Sequence, residues 1–193
     1  LFEPGQLRKY TPQKVGRMKY SCSTFMLYLA VDTVYDNLAH HNIVFSRDCK
    51  KNIRQITDTL EVPDDPSIYI QNASVTDPTV APEGKSTIYI LVPMTNNTGG
   101  ERWEETLGAY RDKVIDIAMN RGGLTNLSSH IIDERIVTPR DWEDEHNVYN
   151  GATFNLAHNF MQLLSFRPRN RFEEFNHCYL VGGGTHPGSG LPT

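Results

Sequence analysis

Tyr20-Ser-Cys-Ser-Thr-Phe-Met-Leu-Tyr-Leu-Ala-Val31 contains the longest apolar run of this 193-residue chain, from Phe25 to Val31. Polar and apolar side chains alternate at its beginning, and the run then becomes continuously apolar. Strands that are buried on both faces show such runs, whereas a helix that crosses a bilayer needs about 20 apolar residues. The stretch therefore predicts a long strand that becomes buried on both faces.

Further strands and two helices complete the predicted fold. Strand-like composition recurs at 42–46, 67–71, 87–92 and 131–138, and a short apolar run at 177–181 predicts one more strand. The clearest helix is predicted over 103–121, before Gly122-Gly123, and its apolar stripe would contain Trp103, Leu107, Tyr110, Val114, Ile117 and Ala118. A second is predicted at 49–60, with Ile53, Ile56 and Leu60 on one face. Turn signals such as Asp77-Pro78 separate neighbouring strands, so this order predicts an α+β fold with a mixed, largely antiparallel sheet and flanking helices.

The composition argues against several classes of function. Hydrophobic residues make up 38% of the chain and charged residues 22%, and the formal net charge is −4, so nucleic acid is not an expected partner. No basic segment followed by an apolar stretch marks a secretion signal at the start. Cys22, Cys49 and Cys178 form no Cys-x-x-Cys pair, which predicts free thiols in a reducing cytoplasm and no metal site.

The tail combines a predicted strand with three consecutive glycines, Gly182-Gly183-Gly184. Glycine lacks the Cβ that keeps other backbones at a distance, so a ligand can approach such a turn closely. Its backbone N–H groups could cradle a phosphate, provided that a helix begins after it, near Pro192-Thr193. A tight turn without a ligand is the alternative that these residues leave open.

Tyr179-Leu-Val-Gly-Gly-Gly-Thr-His-Pro-Gly-Ser-Gly-Leu-Pro192 resembles the C-terminal signature of bacterial phytoene and dehydrosqualene (diapophytoene) desaturases. Other segments occur in the order that this family shows, so the resemblance covers nearly the whole chain. They are Tyr20 to Leu29, His40-His41-Asn42, Ser74-Val-Thr-Asp-Pro78, Ala81-Pro-Glu-Gly84, Ile90-Leu-Val-Pro93, Thr138-Pro139, Gly151-Ala-Thr-Phe154 and Phe166-Arg-Pro-Arg-Asn170.

The resemblance implies two parts of an FAD-dependent, amine-oxidase-like flavoprotein. Residues 1–175 would form part of its substrate domain, and residues 176–193 the returning strand and glycine-rich loop of its FAD domain. The Gly-x-Gly-x-x-Gly fingerprint of the other FAD-binding piece does not occur here. The chain is therefore expected to be an interior fragment that alone binds FAD weakly or not at all and is inactive.

The implied FAD contacts come from the glycine-rich tail. They are Gly182, Gly183, Gly184, Thr185, His186, Pro187, Gly188, Gly190, Leu191 and Pro192. Many relatives in the wider superfamily place an acidic residue just after the returning strand, where this chain has Gly183 or Gly184. Contact is then expected from backbone N–H groups or from Thr185, and for His186 a structural turn is equally open.

The implied reaction is a desaturation. The oxidised flavin takes a hydride from an allylic CH₂ of the polyene while a proton leaves the neighbouring carbon, which gives a new conjugated C=C bond. The sequence identifies no catalytic acid or base. Side chains expected to line the hydrocarbon site, with plain core packing as the alternative for each, are Phe25, Leu27, Tyr28, Tyr69, Tyr89, Phe154 and Phe166.

Several polar residues allow two interpretations. His40-His41 could bind metal, but neighbours on a strand point to opposite faces, which favours a structural role. Turn or cap roles are favoured over acid–base roles for Asp77, Glu83, Asp141 and Glu143. The arginines Arg167, Arg169 and Arg171 could meet phosphate or a membrane surface, and the simpler interpretation is a solvated loop paired with Glu173 and Glu174.

The sequence thus predicts a fragment of an FAD-dependent carotenoid desaturase acting on phytoene or dehydrosqualene, in the cytoplasm and peripherally associated with a membrane surface. Its partner would be a hydrophobic carotenoid precursor, and self-association of the fragment is also expected because a missing half would leave apolar surface. Alternatives are a non-catalytic polyisoprenoid- or lipid-binding domain and a related flavoprotein, such as a polyene oxidase or a saturase.

Overall fold

The computed structural model describes residue 3 and residues 5–190. Its strands are β1 (Ser23–Val31), β2 (His41–Val44), β3 (Ile68–Asn72), β4 (Ser86–Met94) and β5 (Ile131–Val137). They form one sheet in the order β2-β3-β4-β1-β5, and every pairing is antiparallel. The predicted α+β class is confirmed, and the sheet is antiparallel throughout the described residues rather than mixed.

The α-helices are α1 (Pro12–Gly16), α2 (Cys49–Arg54), α3 (Trp103–Asn120), α4 (Leu127–His130) and α5 (Pro139–Asp144). A π-helical turn, Gln55–Thr59, continues α2. Short 3₁₀ turns occupy Ala73–Val75, Pro78–Val80, Asn97–Gly99, Tyr149–Gly151, Phe160–Gln162 and Leu164–Phe166.

One face of the sheet, the covered face, forms the core with α3. Residues paired directly across antiparallel strands share a face, and the pairs Phe25–Val92, Leu27–Ile90 and Leu29–Ile88 are buried. The Phe25 ring lies 5.5 Å from the Trp103 ring and 5.2 Å from the Tyr110 ring, both on α3. Burial of each large apolar side chain here contributes about 1.5–3 kcal/mol.

Helix α3 ends where the predicted Gly122-Gly123 stop occurs. A Cβ at Gly122 would lie 2.6 Å from the Ala118 carbonyl oxygen and 2.7 Å from Cδ1 of Ile70 on β3. Only glycine therefore lets the chain leave the helix this close to the sheet.

Two predicted elements differ from the structure. The helix predicted over 49–60 changes to π-helical geometry at Gln55, and this shifts its faces, so that Ile53 is exposed while Ile56 is buried. The strand predicted at 177–181 is reduced to one bridge between Arg171 and Tyr179, and it does not join the sheet. Tyr179 and Val181 are exposed, so no buried surface holds this segment in strand geometry.

Replacing Tyr110 by phenylalanine is expected to raise the free energy of unfolding by about 1 kcal/mol. The Tyr110 hydroxyl is buried and has no hydrogen-bond partner in the described part of the chain, and burial raises the pKa of this phenol far above its ordinary value. Urea unfolding followed by circular dichroism measures the change. Tyr35→Phe is the matched control, because its hydroxyl donates to the Thr125 carbonyl at 3.2 Å and its loss should lower stability instead. Equal effects of the two substitutions would contradict this assignment.

Candidate functional site

The second face of the sheet, here called the open face, carries a row of aromatic rings across four strands. Tyr28 of β1 lies opposite Tyr89 of β4, with ring centroids 5.3 Å apart. The Tyr89 ring lies 5.9 Å from that of Tyr69 on β3, which lies 6.0 Å from the ring of His41 on β2. Tyr28 is 40% exposed, and Tyr69 and Tyr89 are half-buried, so the row presents its rings outward.

A shallow cavity of about 480 Å³ lies over the centre of the open face. Its lining includes Tyr28, Ala30 and Tyr89, together with three charged residues of β5, Asp133, Glu134 and Arg135. Burial raises the pKa of the Tyr89 phenol, and interaction with the Tyr28 and Tyr69 phenols adds to this, so the centre of the row is uncharged at neutral pH. The aromatic part of the cavity can therefore accept an apolar ligand, while charged side chains lie on its β5 side.

Two histidines mark the end of the row. Nδ1 of His41 is hydrogen-bonded to the Tyr69 hydroxyl at 2.7 Å, while Nδ1 of His40 contacts the Thr76 hydroxyl at 2.6 Å. Their ring centroids lie 4.2 Å apart, so the predicted opposite orientation is wrong: β2 begins at His41, and His40 precedes it. No group of three metal-ligating side chains occurs among the described residues.

The glycine-rich loop, residues 182–190, folds back on itself and on residues 155–158. Cβ atoms at Gly183 and Gly184 would lie 2.8 Å from Ser189 Cβ and 2.5 Å from Asn155 Oδ1. A Cβ at Gly182, whose φ is +113°, would meet no atom of the described residues within 4 Å. The requirement for glycine at 183 and 184 therefore comes from the packing of the loop itself, whereas Gly182 leaves room for a close approach.

The side chain of Thr185 faces into the loop. It is 7% exposed, its hydroxyl donates to the Gly182 carbonyl at 2.8 Å, and it accepts from Nδ2 of Asn170 at 3.2 Å. Its hydroxyl is thus occupied within the protein. The backbone N–H groups of Gly182, Gly183 and Gly184, in contrast, make no hydrogen bond within residue 3 and residues 5–190.

Arg167 connects this loop to the preceding segment. It is 2% exposed, and its guanidinium donates to the carbonyl of Gly183 from Nε and Nη2, at 3.1 and 2.9 Å. Its other bonds are to the carbonyls of Leu156, Gln162 and Ala157, at 2.7, 2.6 and 3.5 Å. Burial lowers the pKa of Arg167 from its usual value, but an arginine in a protein stays protonated. A buried positive charge is therefore held by carbonyl oxygens alone.

A cavity of about 340 Å³ lies on the same side of the molecule. It is lined by Ser165, Arg167, Arg169, Asn170, Arg171 and His186. Arg169 pairs with Glu173 at 3.1 Å, while Glu174 accepts from the backbone N–H groups of residues 8–10. The solvated-loop interpretation of the three arginines thus fits Arg169 and is wrong for Arg167.

Comparison with known proteins gives relatives over the full chain. The chain is 54% identical over 193 residues to a 4,4'-diapophytoene desaturase (4,4'-diapolycopene-forming) of Methylomonas sp, and this match covers 100% of the chain and 38% of that protein. It is 42% identical over 186 residues to an all-trans-zeta-carotene desaturase of Myxococcus xanthus, covering 96% of the chain and 35% of that protein.

A third relative is a 4,4'-diapophytoene desaturase (4,4'-diaponeurosporene-forming) of Staphylococcus aureus (strain MRSA252), 32% identical over 191 residues, with 96% of the chain and 38% of that protein covered. The chain is therefore homologous, over its whole length, to carotenoid desaturases. It corresponds to the C-terminal part of these desaturases and spans a little over a third of their length. No family model matches it.

The structure divides the residues predicted to line the desaturase substrate site into three groups. Phe25 and Leu27 are fully buried in the covered face, because their strand positions alternate with those of the open face. Tyr28, Tyr69 and Tyr89 share the open face. Phe154 and Phe166, 47% and 59% exposed, lie outside the sheet, in loops near the glycine-rich loop.

The predicted cofactor residues lie together in the loop as far as it is described. His186 is exposed, Pro187 follows a cis peptide bond, and Gly188 and Gly190 have positive φ. Leu191 and Pro192 lie outside the described residues, as does the helix expected beyond them.

Sequence reasoning missed the roles of Arg167 and His41. The proline and aromatic residues around Arg167 gave no sign that its charge is buried. Cap roles are found for Asp77, which caps the 3₁₀ turn after it, and for Asp141, whose carboxylate accepts from the backbone N–H of Thr138 in the capping box of α5. Glu143 accepts from Asn97 and from the backbone of Asn150. No helix within the described ranges, 3 and 5–190, is both long and apolar enough to cross a bilayer.

Proposed function

We propose that the complete protein is an FAD-dependent carotenoid desaturase, with an amine-oxidase-like fold, that introduces C=C bonds into phytoene or dehydrosqualene. The observation that supports it best is the aromatic row on the open face, in a chain whose relatives are named as desaturases of such precursors. The chain would contribute one wall of the polyene site and one part of the flavin site.

The open face has the chemistry that a long hydrocarbon requires. The tyrosine rings offer broad apolar surface, and the Tyr69 hydroxyl has a polar partner, His41, at the edge of the row. Phe25 and Leu27 would support this wall from the covered face. Loss of a hydride and a proton leaves the polyene uncharged, so no buried ion pair is required on this surface.

The glycine-rich loop has the chemistry that an anionic dinucleotide requires. The N–H groups of Gly182, Gly183 and Gly184, which have no partner among the described residues, can donate to oxygen acceptors, and Arg169, Arg171 and His186 line the neighbouring cavity. FAD, when bound, would accept the hydride that desaturation removes. Backbone groups would replace the acidic contact used elsewhere in the superfamily, since the Thr185 hydroxyl is already occupied.

A peripheral membrane position would deliver the precursor to this site. Four large apolar side chains are exposed in one short stretch, namely Phe160 at 81%, Met161 at 67%, Leu164 at 59% and Phe166 at 59%. Arg169 and Arg171 follow closely in the chain and could meet anionic headgroups.

Self-association of the isolated chain through apolar surface is a further proposal, tested by light scattering.

The decisive experiment uses the full-length protein. It should purify with flavin absorbance and convert phytoene or dehydrosqualene into products that absorb at longer wavelength. A colourless protein that takes up no FAD would contradict the proposal. Binding of polyene without flavin or turnover would support a polyisoprenoid-binding domain, and conversion only of other polyenes would support an oxidase or a saturase.

Tyr89→Ala in the full-length protein is expected to weaken polyene binding by about tenfold, because it removes the central ring of the row, which is worth roughly 1.4 kcal/mol. Ile53→Ala is the control: it removes an exposed apolar side chain of α2, away from the row. Polyene-induced quenching of intrinsic fluorescence measures both. Equal affinity of the two variants would exclude the open face as the binding wall.

A further inference from the structure

We infer that Arg167 acts as a positioning residue that prepares the Gly183–Gly184 peptide to bind an anionic or electron-rich oxygen group of the cofactor. This inference rests on the proposed flavin function. On this inference, the glycine-rich loop binds its ligand because a buried side chain holds it in the right geometry, and the loop does not suffice by itself.

The contacts of Arg167 fix one peptide plane. Two guanidinium nitrogens, Nε and Nη2, converge on the Gly183 carbonyl, so the fork determines where this oxygen points. The remaining bonds go to carbonyls of Leu156, Ala157 and Gln162, a segment that packs beside the loop. All five N–H groups of the guanidinium are thereby used, and the side chain cannot turn away without losing several bonds.

The same contacts polarise the peptide. A positive charge at a carbonyl oxygen draws electron density from the amide, which makes its N–H a stronger donor. The amide that follows the Gly183 carbonyl is the N–H of Gly184, and it makes no hydrogen bond within the described residues. Arg167 is 2% exposed, so solvent screens this effect little. A buried cation therefore acts through one peptide on one unpaired donor.

The charges around Arg167 are unbalanced. No carboxylate pairs with it among the described residues, and the adjacent cavity is lined by Arg169, Arg171 and His186. Of these, Arg169 is paired with Glu173. An incoming anionic group would compensate the excess positive charge, which is why the site favours phosphate or the electron-rich pyrimidine oxygens of a flavin.

The test compares Arg167→Met, Arg167→Lys and Arg140→Met in the full-length protein with the flavin removed. Methionine keeps an apolar stem without donors, and lysine keeps the charge without the fork. Arg140 is the control, since it is exposed and pairs with Asp144 four residues later on α5. Each variant is titrated with FAD, riboflavin and ADP by fluorescence, and hydrogen exchange is measured across 182–190.

Arg167→Met is expected to bind FAD at least about tenfold more weakly than wild type, Arg167→Lys to recover part of the affinity, and Arg140→Met to stay within about twofold. If Arg167→Met also loses affinity for ADP, the group bound by the Gly183–Gly184 peptide is a phosphate. If it also loses affinity for riboflavin, that group belongs to the isoalloxazine ring. Wild-type affinity in Arg167→Met would overturn the inference.

If the wild-type protein bound no FAD, the proposed function would fail, and the exchange data would decide the inference separately. Faster exchange across 182–190 in Arg167→Met than in Arg140→Met would then support the positioning role. Unchanged exchange would overturn it.

Discussion

Phe25→Ala is expected to lower the free energy of unfolding by about 3–5 kcal/mol. The Phe25 ring is fully buried between the sheet and α3, and it contacts the rings of both Trp103 and Tyr110. Truncation removes this apolar contact and leaves a cavity. The Trp103 and Tyr110 rings belong to the same helix, so they cannot both move to fill it. Urea unfolding monitored by far-ultraviolet circular dichroism measures the loss.

Tyr28→Ala on the same strand is the matched control. Tyr28 is on the open face and 40% exposed, so its loss should cost only about 1 kcal/mol, mainly from its contact with Tyr89. We expect the reverse order for polyene binding in the full-length protein, where Tyr28→Ala should have the larger effect. A stability loss for Tyr28→Ala as large as that for Phe25→Ala would show that the open face is core.

Gly151→Ala is expected to destabilise the protein by about 3 kcal/mol or more. Gly151 has a φ of +62°, and a Cβ there would lie 2.1 Å from the carbonyl oxygen of Pro139. That oxygen accepts a hydrogen bond from Nδ2 of Asn97, so the backbone of α5 and the turn at Asn97–Gly99 would both have to move. Thermal and urea unfolding measure the effect.

Gly84→Ala separates the steric contribution from the conformational one. Gly84 has a comparable φ of +75°, but a Cβ there would meet nothing within 4 Å. This substitution should cost only the left-handed backbone energy, about 1–2 kcal/mol. If Gly84→Ala and Gly151→Ala destabilised the protein equally, the contact with Pro139 would contribute nothing.

Local sequence patterns determined most of the fold. Strands β1, β3, β4 and β5 and helix α3 lie within a few residues of their predicted bounds. Apolar, β-branched and aromatic residues mark the strands, and an apolar stripe followed by Gly122-Gly123 marks the helix. The helix after Cys49 was harder to predict, since a single π-helical turn at Gln55–Thr59 changes its faces and Ile53 lies outside the core. Such a turn depends on the partners of the helix, which no local pattern contains.

The candidate site was only partly predictable. The sequence identified the glycine-rich loop and the aromatic residues, but not which aromatic residues share a surface. The alternation of a strand places Phe25 and Tyr28 on opposite faces, but only the packing of α3 decides that the face of Phe25 is covered and that of Tyr28 is open. Arg167 was hidden for a similar reason: a charge is buried only when carbonyls from distant segments surround it.

The sequence by itself therefore determined the strands, the main helix and the resemblance to carotenoid desaturases. Periodicity, turn residues and family motifs are properties of neighbouring residues, so they can be recognised without any knowledge of packing. Tertiary structure alone decided which face of the sheet is open, how the glycine-rich loop is closed, and that a buried arginine holds it. Those properties arise from contacts between residues far apart in the chain, where register and burial set the energy.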